Sequence, residues 1–276
     1  MSDAVTVRRA LAQSSLVPLE AQVLLAHVLG NDRSWLIAHA DDVLPQQELS
    51  LFVSLARRRL DGEPVAYLTG TREFHSLALT VTRDVLIPRP ETETLVDAVL
   101  AHLPRDTPAR VLDLGTGSGA IALAIAHARP RADILGIDQS AAALLVANGN
   151  AQRLGIGNVL FEMSDWYSAV GDAQFDVIVA NPPYIGAGDP HLGEGDLRHE
   201  PRAALTPGSD GLSALAIIVA GAARNLVRGG MLAVEHGYDQ SDAVRALFAR
   251  HAMEGIVAHR DLAGHWRVMT GRRCER

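Results

Sequence analysis

Apolar positions in this chain follow one spacing at its start and another over the rest. Over roughly the first sixty residues they recur at three- and four-residue intervals, as in helices packed along one face. Ala21 to Leu29 is apolar-rich and stops at Gly30-Asn31, a pair suited to ending a helix. A longer helix starts from Pro45, presents Leu49, Phe52, Val53, Ala56 and Leu60 on one side, and closes at Asp61-Gly62. Arg57-Arg58-Arg59 falls on its solvated side, where a basic contact to a partner is the alternative to simple solvation. Between Thr71 and Ile87 the pattern shortens. Phe74, Leu77, Leu79, Val81, Val85 and Ile87 lie in brief β-favouring stretches around a turn at Arg83-Asp84, which predicts a hairpin or extended linker. Pro88-Arg89-Pro90-Glu91-Thr92-Glu93 then opens a helix, with proline in the first turn and acids over the positive end of the helix dipole.

From Ala109 onward, strand and helix patterns alternate. Strands are predicted at Arg110–Leu114, Ala132–Ile137, Val159–Met163, Phe175–Ala180 and Met231–His236, with helices at Ala120–Ala128, Ser140–Leu154 and Leu212–Leu226. Two more strands, around Ile256–Arg260 and Trp266–Thr270, close the chain. The alternation predicts an α/β fold: a mostly parallel, Rossmann-like sheet of seven strands covered on both faces, with ligands at the carboxyl ends of the strands. The implied organisation is a helical segment over 1–70, a connector over 71–87 and an α/β domain over 88–276.

Composition narrows the function classes. Hydrophobic residues are 48% and charged residues 21% of the 276, enough apolar material for a sizeable core. A net charge of −7 argues against long duplex nucleic acid as partner, since such proteins usually carry a basic face. Cys274 is the lone cysteine, which excludes an internal disulfide framework and zinc sites built on several thiolates. The start, Met1-Ser2-Asp3-Ala4, lacks a signal-peptide pattern, and no apolar run suits a membrane span, so a cytoplasmic monomer is expected. The histidines show no ligand spacing and no metal is expected; Glu235-His236 and His199-Glu200 read as surface or strand-end pairs.

Candidate chemistry begins with the strand-to-helix turn Asp113-Leu114-Gly115-Thr116-Gly117-Ser118-Gly119. Its glycines permit a tight turn and close approach of a ligand to the backbone. Asp138 ends the next strand, 19 residues after Gly119, where an acid can accept hydrogen bonds from ribose hydroxyls. Gly115, Gly117 and Ala120 also satisfy a dinucleotide fingerprint, so a dehydrogenase stays open at this point. Asp113 tilts the balance: a carboxylate there can face the ammonium of a methionine moiety but gains nothing from a pyrophosphate.

The sharper motif is Asn181-Pro182-Pro183-Tyr184, directly after the strand Phe175–Ala180. The prolines donate no backbone hydrogen bonds and stiffen the turn, leaving the Pro182 carbonyl free to point outward. Two fixed acceptors, the Asn181 side-chain oxygen and the Pro182 carbonyl, match the two hydrogens of a planar NH₂ group, and Tyr184 can stack on the flat group carrying it. An amide or aromatic amine is a poor nucleophile because its lone pair is delocalised. Acceptors on both hydrogens favour the electron-rich geometry for attack on a sulfonium methyl and stabilise the developing positive charge.

With these motifs in place, the chain resembles the release factor glutamine methyltransferases, the HemK/PrmC family. The likeness runs nearly end to end, through Asp61–Gly70, Arg72-Glu73-Phe74, Ile87–Glu93, the glycine loop, Asp138, Asp165-Trp166, Asn181–Tyr184, His199–Leu205 and Gly208–Leu212. Of these, the Ile87–Glu93 segment is the most family-specific; taken without the resemblance it is a helix start. The resemblance implies S-adenosylmethionine as cofactor, with S-adenosylhomocysteine as product. It implies a cofactor site of Asp113, Gly115, Thr116, Gly117, Ser118, Gly119, Asp138, Asp165, Trp166 and Asn181, in which Trp166 packs on the adenine unless it is a core aromatic. Asn181, Pro182, Pro183 and Tyr184 would bind the glutamine of a Gly-Gly-Gln motif in class 1 peptide release factors, with Asn181 and Pro182 as the catalytic pair and the N-terminal helical domain docking the partner. The competing expectations are a glutamine methyltransferase acting on a ribosomal protein, a nucleic-acid adenine methyltransferase, a dehydrogenase, and a cofactor-binding protein without catalysis.

Overall fold

The computed structural model describes residues 4–208 and 210–274. The opening residues 1–3 and Ser209, which were quoted above in sequence motifs, lie outside the described residues. Two compact units divide the chain, Met1–Thr71 and Arg72–Arg276.

Among its described residues the first unit holds five helices, α1 (Val7–Gln13), α2 (Pro18–Leu29), α3 (Arg33–Ala38), α4 (Gln46–Leu60) and α5 (Val65–Thr69). Side chains cap two of them, with Thr6 accepting from the Arg9 amide and Asp32 from the Trp35 amide. Gly30 ends α2 in the left-handed conformation that glycine adopts without strain. Leu24, Leu25, Leu36, Phe52 and Leu55 form its core. Helix α4 departs from the expected face, because Phe52, Leu55 and Ala56 are buried while Val53 and Leu60 are exposed. At about 100° per residue those two lie on the flank, about 80–100° around from Phe52, beyond the packed stripe. The arginine run is also split. Arg57 is exposed, but Arg59 forms a paired hydrogen bond with Glu20 at 2.8 and 3.0 Å, and Arg58 does so with Glu63 at 2.7 and 2.8 Å.

A hairpin follows at the boundary, β1 (Thr71–Phe74) and β2 (Leu77–Thr80), whose turn residues His75 and Ser76 both have positive φ, 47° and 64°. A 3-10 turn at Pro90–Thr92 leads into α6 (Glu93–His102). There follow β3 (Ala109–Leu114), α7 (Ala120–Ala128), β4 (Ala132–Asp138), α8 (Ala141–Leu154), β5 (Val159–Met163) and β6 (Phe175–Ala180). Next come α9 (Arg202–Leu205), α10 (Ser213–Asn225), β7 (Leu226–Glu235), α11 (Ser241–Arg250), β8 (Met253–Arg260) and β9 (Trp266–Arg273). The sequence pattern did not predict α11, a polar helix that buries only Val244 and Phe248.

The sheet has seven strands in the order β5-β4-β3-β6-β7-β9-β8. The first five are parallel, and β9 runs antiparallel to both β7 and β8. Helices α6 and α7 pack into one apolar cluster with the sheet, and α10 and α11 into another. The central strands are therefore buried on both faces, which explains their continuous apolar sequences. Among the described residues no helix is long and apolar enough to cross a membrane.

Candidate active site

Register places the site. Leu114 pairs with Ile137 and with Ala180, and Ala180 pairs with Val234. The residues that follow, Gly115, Asp138, Asn181 and Glu235, therefore emerge side by side at the carboxyl ends of β3, β4, β6 and β7. This is where the strand order reverses, between β3 and β6, the usual ligand crevice of such sheets.

The glycine loop turns through Gly115, Gly117 and Gly119, with φ of 76°, 56° and 82°. Its shape is fixed from beneath. Asp138 accepts from the Gly117 amide and the Ser140 amide, each at 2.9 Å. Thr116 Oγ1 donates to Asp113 Oδ2 at 2.6 Å, and the Ser118 carbonyl accepts from Asn150 Nδ2 at 3.0 Å. A Cβ on Gly119 would come within 3.1 Å of the Leu123 and Phe161 side chains. Asp113, Thr116, Ser118 and Gly119 thus form the underside of the loop, while Gly115 and Gly117 face the ligand space. Burial pushes the Asp113 carboxyl up to about 7, against the Thr116 hydroxyl and a backbone hydrogen bond from Ala122, which both lower it. Its Oδ1 is buried without a hydrogen-bond partner.

Gly115, Gly117, Asp138, Asp165, Trp166 and Asn181 line a cavity of about 200 Å³. Trp166 lies over Gly115, where a Cβ would sit 3.8 Å from the indole. Its φ of 46° is unusual for a bulky residue, and Ser164 Oγ donates to its carbonyl at 2.7 Å. The ring also packs against the neighbouring apolar cluster, so it is both cavity wall and core edge. Asp84, Val85, Leu86, Pro201, Ala203 and Ala204 add to the lining. Apart from Asp84, read in the sequence as a turn residue, these are apolar positions that carried no chemical signal.

On the other side of Asn181 lies a second cavity of about 60 Å³, bordered by Arg89, Asn181, Pro182, Tyr184, Leu205 and Glu235. Asn181 Nδ2 donates to Thr92 Oγ1 at 3.1 Å, which leaves its oxygen without a protein partner among the described residues. Pro182 is buried and its carbonyl accepts no hydrogen bond among them. Tyr184 is held at both ends. Its hydroxyl donates to Glu235 Oε1 at 3.0 Å, and its carbonyl accepts from Gln240 Nε2 at 3.0 Å. Gly211 lies so close that a Cβ there would sit 2.3 Å from that carbonyl oxygen. Pro183 faces the larger cavity.

The segment before α6 is more than a helix start. Thr92 reaches Asn181, and Arg89 forms an ion pair with the buried Glu200, whose Oε2 accepts from the Ile87 amide at 2.9 Å. Glu200 and Glu235, expected as surface or strand-end groups, are instead buried beside the site. Glu235 does end its strand, but its carboxyl is pushed up to about 7 by burial, with the Thr92 and Tyr184 hydroxyls and Arg267 opposing the rise. The Thr92 hydroxyl lies near enough to lower that value, although Oε2 itself is left without a well-formed hydrogen bond. Single-residue patterns gave no hint of these burials.

A glycine loop, an acid at the next strand end and an amide-plus-proline turn, set on this sheet order, define a Rossmann-like methyltransferase. Known proteins agree. Residues 6–70 match the model of the PrmC N-terminal domain, and residues 93–194 that of the methyltransferase small domain. The release factor glutamine methyltransferase of Bordetella pertussis is 50% identical over 262 residues, covering 95% of this chain and 97% of that protein. The one from Escherichia coli is 45% identical, covering 92% and 91%. Among solved structures, a methyltransferase from Pyrococcus furiosus shares the fold with a TM-score of 0.55 at 16% identity, covering 79% of this chain and 97% of that one. The T. thermophilus 16S rRNA N2 G1207 methyltransferase does so at 0.52 and 20%, covering 74% and 49%. The chain belongs to the release factor glutamine methyltransferase family.

Proposed function

We propose that this protein methylates the side-chain amide nitrogen of the glutamine in the Gly-Gly-Gln motif of class 1 peptide chain release factors, in the cytoplasm, with S-adenosylmethionine as donor. One observation carries the reading. Asn181 stands between the two cavities with its NH₂ group committed to Thr92 and its oxygen left for a ligand.

The residues around the larger cavity fit that cofactor. Asp113, wholly buried beneath the glycine loop and outside the cavity wall, acts on the cofactor through the loop it braces by accepting from Thr116. Gly115 and Gly117 open the backbone to close approach, Asp138 has lone pairs left for ribose hydroxyls, and Trp166 offers a flat face to the adenine. Asp165 lines the same space. When bound, the cofactor supplies a methyl group activated on a sulfonium. The chain's own residues then do the rest. Asn181 Oδ1 and the Pro182 carbonyl accept the two amide hydrogens, which orients the nitrogen and stabilises the positive charge it acquires. Pro182 and Pro183 hold those acceptors still, and the Tyr184 ring walls the smaller cavity beside the substrate carboxamide. In this reading the helical segment 1–70 docks the protein partner and 88–276 carries the chemistry, with Asp84, Val85 and Leu86 of the 71–87 connector adding to the cavity wall.

Incubation with labelled S-adenosylmethionine and, separately, a release factor, a ribosomal protein and duplex DNA tests this. Label is expected on the release factor and is lost when its target glutamine is replaced. Label on the ribosomal protein or the DNA alone overturns the assignment.

A further inference from the structure

Thr92 and Glu235 lie outside the Asn-Pro-Pro-Tyr turn, yet each touches it. They arrive from opposite directions, Thr92 from the 3-10 turn before α6 and Glu235 from the end of β7, beside Asn181 by strand register. Both are nearly inaccessible, at 3% and 1% exposure. Asn181 Nδ2 donates to Thr92 Oγ1 at 3.1 Å and the Tyr184 hydroxyl donates to Glu235 Oε1 at 3.0 Å, while Glu235 Oε2 is buried without a formed hydrogen bond and the Thr92 hydroxyl is among the groups that hold its carboxyl down.

Hydrogen-bond direction follows from what each group is able to do. An ionised carboxylate only accepts. A hydroxyl beside it is thereby committed as donor to it, and its lone pairs remain for another donor. An asparagine next to that hydroxyl turns its NH₂ group inward and its oxygen outward. We propose that Thr92 and Glu235 are positioning residues, and that the carboxylate sets the direction of a hydrogen-bond chain that keeps the Asn181 oxygen facing the substrate amide. The inference rests on Asn181 being the amide acceptor assigned above. It also gives the buried Oε2, which has no formed hydrogen bond, a donor in the Thr92 hydroxyl.

A protonated Glu235 can donate to Thr92, which frees Thr92 to donate to the Asn181 oxygen and turns the NH₂ group toward the substrate. Donor then meets donor and transfer fails. The groups facing Glu235 are the Tyr184 and Thr92 hydroxyls, Arg267 from β9 and Glu91 from the 3-10 turn, with His236 next in the chain. Burial outweighs them and holds the carboxyl at about 7, so the acidic limb of the rate profile falls near neutrality.

The test uses the full chain with S-adenosylmethionine and release factor, Thr92→Val, Thr92→Ser and Glu235→Gln variants, and the side-chain amide resonances of Asn181 in a ¹⁵N-labelled sample. Thr92→Val is expected to lower kcat about a hundredfold, with both KM values within about twofold, and Thr92→Ser to restore the rate to within about threefold. The Asn181 amide signal is expected to titrate near pH 7 in the parent protein and to lose that titration in Glu235→Gln. A Thr92→Val enzyme of parental rate, or an Asn181 signal indifferent to Glu235→Gln, overturns the proposal. Thr92→Ser and Glu235→Gln report on the same chain should Thr92→Val not fold. If the release factor takes no label while the Asn181 signal still depends on Glu235, the substrate assignment fails and this one stands.

Discussion

Two buried carboxylates at the strand ends, Asp113 of β3 and Glu235 of β7, share a chemistry and differ in what they hold. Burial drives both up to about 7, and in each one oxygen accepts a hydroxyl while the other lacks a well-formed partner. Asp113 takes its hydroxyl from Thr116, three residues along its own loop, so it braces that loop from beneath. Glu235 takes its hydroxyl from Tyr184, 51 residues away, and lies near Thr92 from a third segment, so it joins separate segments beside Asn181. Burial raises a carboxyl in either setting. The origin of its partners decides whether it braces one loop or ties several together.

Four measurements separate the two carboxylates. The largest effect is expected from Asn181→Ala, the group on the Glu235 side: single-turnover kinetics should show a loss of about 1,000-fold or more, with cofactor affinity by calorimetry within about tenfold. An active Asn181→Ala enzyme would contradict the acceptor role. Next, Asp113→Asn should weaken cofactor binding by about 10- to 100-fold, roughly 1.4–2.8 kcal/mol, while Glu235→Gln shifts it less than about twofold. Equal shifts would erase the distinction between the two acids.

Stability of the cofactor-free protein should then show what they share. An acid with a higher pKa in the folded than in the unfolded chain binds more protons when folded, so its burial costs most above the folded value. Stability from this source falls as pH rises from the unfolded values, 3.8 for Asp113 and 4.5 for Glu235, to about 7, and is lowest above that. Asp113→Asn and Glu235→Gln are each expected to raise the unfolding free energy near pH 8, on the order of 1–3 kcal/mol, with the gain shrinking near pH 5. A gain that is flat across that range would mean the charge is not its source. Smallest is Gly119→Ala, which forces a side chain into φ 82° and within 3.1 Å of Leu123 and Phe161. It should lower stability by about 1–2 kcal/mol without pH dependence, as seen in denaturant curves at both pH values.

Much of the fold was legible because it is written locally. Val159–Met163, Phe175–Ala180 and Ala120–Ala128 occupy the residues their periodicity predicts. Helix α11 escaped although Val244, Leu247 and Phe248 face the core at helical spacing, because that stripe spans barely one turn of an otherwise polar ten-residue segment. Val53 and Leu60 were misplaced for a related reason, since apolar character does not tell the centre of a buried stripe from its flank. At the site, Asn181–Tyr184 stood out because two prolines after a strand constrain the backbone in a recognisable way. Thr92, Glu200 and Glu235 did not, because a threonine or glutamate looks the same in sequence whether buried or solvated.

The elements, their alternation and the two candidate turns could be read along the chain, because helical period, strand alternation, glycine and proline act over a few neighbouring residues. Only the tertiary structure decided that Thr92 meets Asn181 across 89 residues, that Arg89 meets Glu200 across 111, and that a glutamate at the end of β7 loses its water. Strand order and register create those meetings, and the shift in a carboxyl's protonation comes from the surroundings that the folded chain builds around it.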